Sequence, residues 1–394
     1  MSGSTTSLVL FFLAGGLILY VLFGYPLLLA LLARRHHRPI LRHYQPRTVS
    51  VLLPVRNGER WISAKLHSIA TLNYPPELME ILVVSDGSTD STENLVRSFP
   101  DPRIRLFSVP PGGKATALNT ALAAAQGEIL FFTDVRQQLE PDCLRHLVAC
   151  FADPSVGVVS GELIIRDGLT SQEKNVGLYW RYEKWIRKHL SQIDSILGAT
   201  GCIYTMRRSL AKPLPPGTLL DDVYLPLAAF FAGYRVVFEP NARAYDLPTS
   251  LPSEFHRKVR TQAGIYQLLR YYPQLLSWRN RMWIHFVSHK LGRLALPFLL
   301  LALAGATPGL PHPWNWSAGG AQILFYSLAL FDPFLAEHSR LKKITAPIHT
   351  FVVLTAAALC ALSILFRRHS QSFWKPTEVN PAAPMSQSSQ QRSR

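Results

Sequence analysis

Four acidic positions, Asp86, Asp134, Asp221 and Asp222, stand where a carboxylate can do chemistry. In LVVSDGSTD, Asp86 follows an apolar run and precedes Gly87, Ser88 and Thr89. Its oxygens are placed there to accept hydrogen bonds from a nucleobase or ribose, with an ordinary Asx turn as the competing use. In LFFTD, Asp134 closes another apolar run. A carboxylate emerging there can hold a divalent cation against a diphosphate, because Mg2+ usually takes one or two carboxylates plus phosphate oxygens. Asp221 and Asp222 precede a long apolar helical stretch. One of them either caps the helix or acts as general base toward an attacking hydroxyl, poised by the repulsion between the two. Two further segments surround these carboxylates. VSVLLPVRN opens a strand into a loop shaped by Pro54 and Asn57. PGGKATALNTAL puts Gly112, Gly113 and Lys114 at a helix start, where backbone donors and an ammonium can cradle an anion.

Such residues need a scaffold that gathers loop ends. Residues 48–275 alternate short apolar strands with helical stretches, the pattern of an α/β domain whose mostly parallel sheet is covered by helices. Strands are expected at 49–55, 81–85, 104–109, 129–133 and 156–160. Several end directly in a polar or acidic residue, and in an open α/β sheet the carboxyl ends of the strands line the ligand crevice.

Apolar blocks flank this domain. Residues 8–33 are uncharged and long enough to span a bilayer, which takes roughly 20 apolar residues, with Gly24, Tyr25 and Pro26 bending the run. The lack of a basic stretch before it and the cations after it favour a retained anchor over a cleaved signal peptide. That puts the N-terminus outside and the next domain inside. Residues 276–370 hold three more apolar blocks, at 291–306, 322–336 and 344–366, and a polar tail occupies 371–394. Residues 255–290 mix Arg, Lys, Tyr and Trp with aliphatics at helical spacing, compatible with helices in the membrane interface. Three full C-terminal spans would leave Arg367 and Arg368 outside, against the positive-inside tendency. Either one block is re-entrant or interfacial, or the tendency is broken.

Composition agrees with a membrane protein. Charged residues are 17% of the chain, against about 25% in soluble domains. The net charge of +16 would suit a nucleic-acid binder, but much of the excess sits beside apolar blocks: Arg34, Arg35 and Arg38 after the first, Lys290 and Arg293 opening the second, Arg340, Lys342 and Lys343 before the last. Anionic lipid headgroups are the natural partners of such charges, and nucleic acid is not expected. The cysteines, Cys143, Cys150, Cys202 and Cys360, have neither zinc-site spacing nor a disulfide framework.

Taken in series, these segments resemble glycosyltransferase family 2 with a GT-A fold, over residues 48–275, in its membrane-bound, exopolysaccharide type. The resemblance implies a nucleotide-diphosphate sugar as donor and a lipid-linked or polysaccharide acceptor. It implies that Pro54, Asn57 and Asp86 surround the nucleoside with Lys114 close by, that Asp134 faces the diphosphate and the metal, and that Asp222 is the catalytic base. GATGCIYTMRR looks like the family's acceptor-side loop, with Gly201 and Asp221 on that side, and HRKVRTQAG falls where the family carries a basic segment over the donor phosphates, with Arg260 the best match. An inverting transfer at the cytoplasmic face of the plasma or inner membrane follows.

This sequence departs from the family pattern in three places. Ser85-Asp86 stands for a paired Asp, so one base or ribose contact is missing. The usual DxD reads Asp134, Val135, Arg136, so a Mg2+ or Mn2+ ion would lack its second carboxylate, and the Arg136 guanidinium could supply some of the cation's charge. Where processive synthases carry QxxRW, residues 257–261 read RKVRT. A processive polysaccharide synthase and a catalytically degenerate membrane scaffold are therefore the alternatives to single-sugar transfer.

Overall fold

The structure is a computed structural model and describes residues 2–165, 171–247, 251–336 and 339–365; the expected polar tail lies outside them. Helices α1 (Ser2–Leu19) and α2 (Tyr25–Arg35) are joined by one π-helical turn, Tyr20–Gly24, at the bend anticipated from Gly24 and Pro26. The domain then runs β1 (Val49–Val55), α3 (Glu59–Ala70), β2 (Met79–Asp86), α4 (Thr92–Arg97), β3 (Ile104–Val109), α5 (Lys114–Ala124), β4 (Ile129–Phe132), β5 (Gln138–Leu139), α6 (Cys143–Ala149) and β6 (Val156–Ile165). It continues with α7 (Ser171–Ile193), β7 (Tyr204–Arg207), α8 (Asp221–Phe231), β8 (Arg235–Asp246) and α9 (Leu251–Tyr271). The C-terminal part holds α10 (Trp283–His285), α11 (Gly292–Ala306), α12 (Trp314–Phe331) and α13 (Lys342–Leu365).

The eight strands form one sheet in the order β3-β2-β1-β4-β7-β6-β8-β5. Parallel pairing joins β1 to β2 and β4, β2 to β3, and β6 to β8, while β7 lies antiparallel between β4 and β6. All five expected strands are present, β2 running on to include Asp86 and β6 reaching Ile165. The short β5 and β7 and the 12-residue β8 were not anticipated.

Alternation along the strands splits the core in two. Leu52, Leu82, Val84, Leu130 and Phe132 face α5 and α8, in a cluster that also takes in Tyr25, Leu29, Phe286, Leu294 and Ala358 from the apolar helices. Val51, Leu53, Ile81, Val83, Ile129 and Phe131 face α3 and α6 on the other side. One face of the sheet is thus continuous with the membrane-type helices, which couples domain orientation to anchoring. Truncating one of these fully buried leucines costs about 2–5 kcal/mol.

Among the described residues, three helical stretches are long and apolar enough to cross a membrane: Ser4–Arg35, Trp283–Gly309 and Lys342–Leu362. The expected block at 322–336 is not one of them; its helix, α12, carries Asn315, Gly319, Gly320 and Gln322. The packing orders the three. A side chain at Gly309 would collide with Ser7 near the start of α1, whereas Ala358 near the end of α13 belongs to the domain's own core. The chain therefore leaves the domain along Trp283–Gly309 and returns to it along α13. Asp332 and Lys342, at the distal turn, are both buried and pair at 3.5 Å.

Candidate active site

The carboxyl ends of β1, β2 and β4 converge, as the parallel topology requires. At β1 the expectation for Pro54 is corrected: it does not break the strand but lies buried inside it, opposite Val84 of β2. Proline is tolerated because pairing of β1 with β4 stops at Leu52, leaving that edge free of ladder bonds. Asn57 follows with φ 50°, and its Oδ1 accepts the backbone N–H of Thr89 at 2.8 Å, tying the loop after β1 to the loop after β2.

Asp86 is fully buried. Its carboxylate accepts the N–H of Gly112 at 2.7 Å and of Gly113 at 3.0 Å, with Arg56 at 3.9 Å. The anion in the glycine cradle is thus Asp86 itself, which sets the start of α5. Gly113, at φ 87°, adopts the left-handed backbone that this turn demands. Lys114 comes next, and its Nζ lies 2.9 Å from Asp134 and 3.1 Å from Asp221. Burial alone would lower its pKa, but Asp134, Asp221 and Asp222 together hold it above the ordinary lysine range.

Asp221 and Asp222 open α8 without capping it; Leu220 occupies the cap position, and its carbonyl accepts the N–H groups of Val223 and Tyr224. The backbone carbonyl of Asp222 accepts the N–H of Ala199 at 2.7 Å. A Cβ on Gly201 would come within 3.1 Å of Asp222 Oδ2, so the small residue lets the loop lie against the carboxylate. Burial, then repulsion from Asp221, pushes Asp222 up to about 6, against the attraction of Lys114, Arg187 and Arg260. Arg260 reaches this region from α9, and its Nε is buried without a hydrogen-bond partner among the described residues. Two contacts seat α9. Gly264 leaves room for Leu220, which would lie 2.4 Å from an added Cβ, and Gln267 bonds the backbone of Gly217 and Leu219 at 2.9 Å each.

Arg136 corrects another expectation. Its guanidinium does not face the diphosphate side but pairs with Asp246 at the end of β8, at 2.6 Å, with Gln137 donating to the same carboxylate. That pairing neutralises it, so it has no spare charge to stand in for a cation. No cluster of three metal-type ligands occurs among the described residues. Asp134, 37% exposed at the mouth of the site, fits a cation shared with phosphate oxygens and not an all-protein cage.

Three residues escaped the sequence reading. Lys65 is fully buried on α3 and donates to Thr133 Oγ1 and the Gln137 carbonyl, both at 2.7 Å, bracketing Asp134. Thr133 in turn donates to the Cys202 carbonyl at 2.8 Å, joining the Asp134 loop to the Gly201 loop. Its signal was legible, since Lys65 shares the helix face of Ile62, Leu66 and Ile69. Tyr204 stacks on Phe132 at 4.3 Å, with its hydroxyl buried and unpaired among the described residues. Arg187, on α7, donates to Thr200 Oγ1 at 2.6 Å and to the Ala199 carbonyl at 3.4 Å. Nothing local in the sequence marks either of these two.

Comparison with known proteins agrees with this geometry. The family model described as Glycosyl transferase family 2 matches residues 50–214. An N-acetylglucosaminyltransferase of Rhizobium meliloti (strain 1021) is 27% identical over 372 residues, 86% of this chain and 83% of its own. A beta-monoglucosyldiacylglycerol synthase of Nostoc sp. is 24% identical over 305 residues, 69% of this chain, and the match spans 63% of that relative's length. The fold is that of the mannosyltransferase PcManGT from Pyrobaculum calidifontis, solved in complex with GDP-Man and Mn2+: TM-score 0.69, 24% identity, 89% of this chain and 99% of that one. Residues 50–214 thus match glycosyl transferase family 2, and the sheet that carries them has the GT-A fold.

Proposed function

We propose that this protein is an inverting glycosyltransferase that moves one sugar from a nucleotide-diphosphate donor to a lipid-linked or polysaccharide acceptor at the cytoplasmic face of a membrane. The observation that carries the reading is the placement of Asp222, pushed up to about 6 and lying against the small-residue loop at Gly201. A base with that pKa is ionised at neutral pH and still basic enough to take a proton. The acceptor hydroxyl gives its proton to Asp222, its oxygen bonds to the anomeric carbon, and the bond from that carbon to the diphosphate oxygen breaks with its electron pair leaving on the nucleotide. Charge developing on the diphosphate meets Lys114 and Arg260, whose Nε has no hydrogen-bond partner among the described residues. Asp134 would hold a divalent cation, which when bound supplies further positive charge to that leaving group.

The cytoplasmic assignment rests on charge. Arg34 and Arg35 close the first apolar stretch on the domain side, and Lys290 and Arg293 lie near the start of the second. The test is nucleoside-diphosphate release by the full-length protein in detergent, across UDP-, GDP- and dTDP-sugars with lipid acceptors supplied, with and without EDTA, beside Asp222→Asn. Release by the wild type and its loss in the variant is the expected result. Silence from both proteins across the panel would instead support a degenerate scaffold.

A further inference from the structure

The carboxylates at the mouth of the site already hold a cation of the chain's own. Lys114 Nζ lies 2.9 Å from Asp134 Oδ1 and 3.1 Å from Asp221 Oδ2, so one ammonium bridges two carboxylates from separate elements, the loop after β4 and the start of α8. A second ammonium, that of the fully buried Lys65, brackets the Asp134 loop through the neutral oxygens of Thr133 and Gln137. The backbone next to Lys114 is pinned, because Asp86 holds the N–H groups of Gly112 and Gly113. Its side chain is a flexible four-carbon stem and is free to turn.

An ammonium seated between two carboxylates takes the place a divalent cation needs, and the two repel each other there. The divalent ion can enter only when Lys114 has another anion to meet, and a nucleotide diphosphate offers one. Asp221, which the resemblance put on the acceptor side, then makes good the carboxylate missing from the DxD position, where Arg136 is turned to Asp246. Two carboxylates plus phosphate oxygens are an ordinary set for such an ion. An independent feature points to the same place. Tyr204 is fully buried and stacks on Phe132, two residues before Asp134. Its hydroxyl has no partner among the described residues, and Asp221 is first among the carboxylates within Coulombic reach of it. A buried hydroxyl left unpaired is costly.

We propose that Asp134 and Asp221 together form the seat of the divalent cation, that Lys114 occupies this seat in the free protein, and that the cation enters only with a nucleotide diphosphate, which draws Lys114 away. The Tyr204 hydroxyl then supports Asp221 from behind, as outer-shell donors support carboxylate ligands. The proposal rests on the transferase reading above, and its test reads binding, not turnover. Mn2+ bound to the full-length protein in detergent is measured by electron paramagnetic resonance, alone and with UDP, GDP or dTDP. The expected result is at least tenfold weaker binding of Mn2+ alone than with the nucleotide the protein accepts, and by linkage the same factor in nucleotide affinity with and without Mn2+. Lys114→Met, its fold checked by thermal melt, should bind Mn2+ alone at least tenfold more tightly than wild type, a gain lost in Lys114→Met/Asp221→Asn. Asp221→Asn by itself should weaken Mn2+ at least tenfold in the nucleotide complex. Equal Mn2+ affinity of the wild type with and without nucleotide, a comparison that needs no variant, overturns the proposal. So does undiminished Mn2+ binding in the nucleotide complex of Asp221→Asn, which would leave Asp134 as the sole carboxylate. If no nucleotide binds, with or without Mn2+, the transferase reading fails; if one binds and Mn2+ does not respond to it, only this proposal does.

Discussion

Replacing Asp222 by Asn tests the base assignment and its environment together. Asp222 has its pKa pushed from the ordinary carboxylate range to about 6 by burial and by Asp221. Turnover requires the ionised form, so kcat/KM rises with pH through an apparent pKa near 6 that belongs to the Asp221–Asp222 pair. Between pH 7 and pH 5 it falls by about tenfold. Asp222→Asn removes that limb and lowers kcat by about 10^2–10^4. Stability should move the other way. A carboxyl whose folded pKa lies above its unfolded value gives the native state a stronger hold on the proton. The associated stability is complete below about pH 4 and is lost as pH rises through about 6. The shift of about two units, at about 1.4 kcal/mol each, bounds the strain of the ionised carboxylate at about 3 kcal/mol. Asn carries no such charge, so the variant melts a few degrees higher at pH 7.5, and the gap closes toward pH 4. Initial rates with a fixed donor and thermal melts in detergent, both across pH 4.5–8, provide the assay. A rate limb at the ordinary carboxylate position, or a variant less stable than wild type at pH 7.5, would refute the reasoning.

Lys65→Met should lower kcat by about tenfold or more while shifting the melting temperature little, because the brace on the Asp134 loop is lost but a buried charge goes with it; unchanged kcat sinks the positioning role. In Gly201→Ala the new methyl stands 3.1 Å from Asp222 Oδ2, so kcat should drop with donor affinity unchanged, as read by nucleotide binding. Arg136→Met leaves the Asp246 carboxylate with Gln137 and the Leu247 N–H but no paired cation. It should destabilise by about 3 kcal/mol, with Asp246→Asn in the same chain restoring part of the loss in a double-mutant melt. If EDTA sensitivity also vanished in Arg136→Met, the view that Arg136 takes no part at the diphosphate would fail.

Much of the catalytic frame could be read locally. The strands of the first half are continuous apolar runs that end in polar residues, and a parallel strand buried on both faces must look like that. The carboxylates at their ends were therefore visible as a set, as was the pair that opens α8. The partners were not. Asp86 read as a free acceptor until the fold brought Gly112 and Gly113 to it across 26 residues. Arg136 read as a spare cation until β8, 110 residues later, brought Asp246. β7 has only four residues and β5 two, too few for periodicity to register.

The sequence by itself determined the class of fold, the side of the sheet where ligands enter, and the apolar stretches that tie the domain to a membrane, because each is written in residue periodicity and strand-end chemistry over fewer than about 25 positions. Tertiary structure alone decided which charges are neutralised and which remain available. Lys114 meets Asp134 and Asp221, Arg136 meets Asp246, Lys65 braces the loop between them, and Arg187, within Coulombic reach of Asp222, donates to Thr200 and Ala199. Electrostatic state depends on distances of a few ångströms between groups far apart in the chain, and no local pattern encodes those distances.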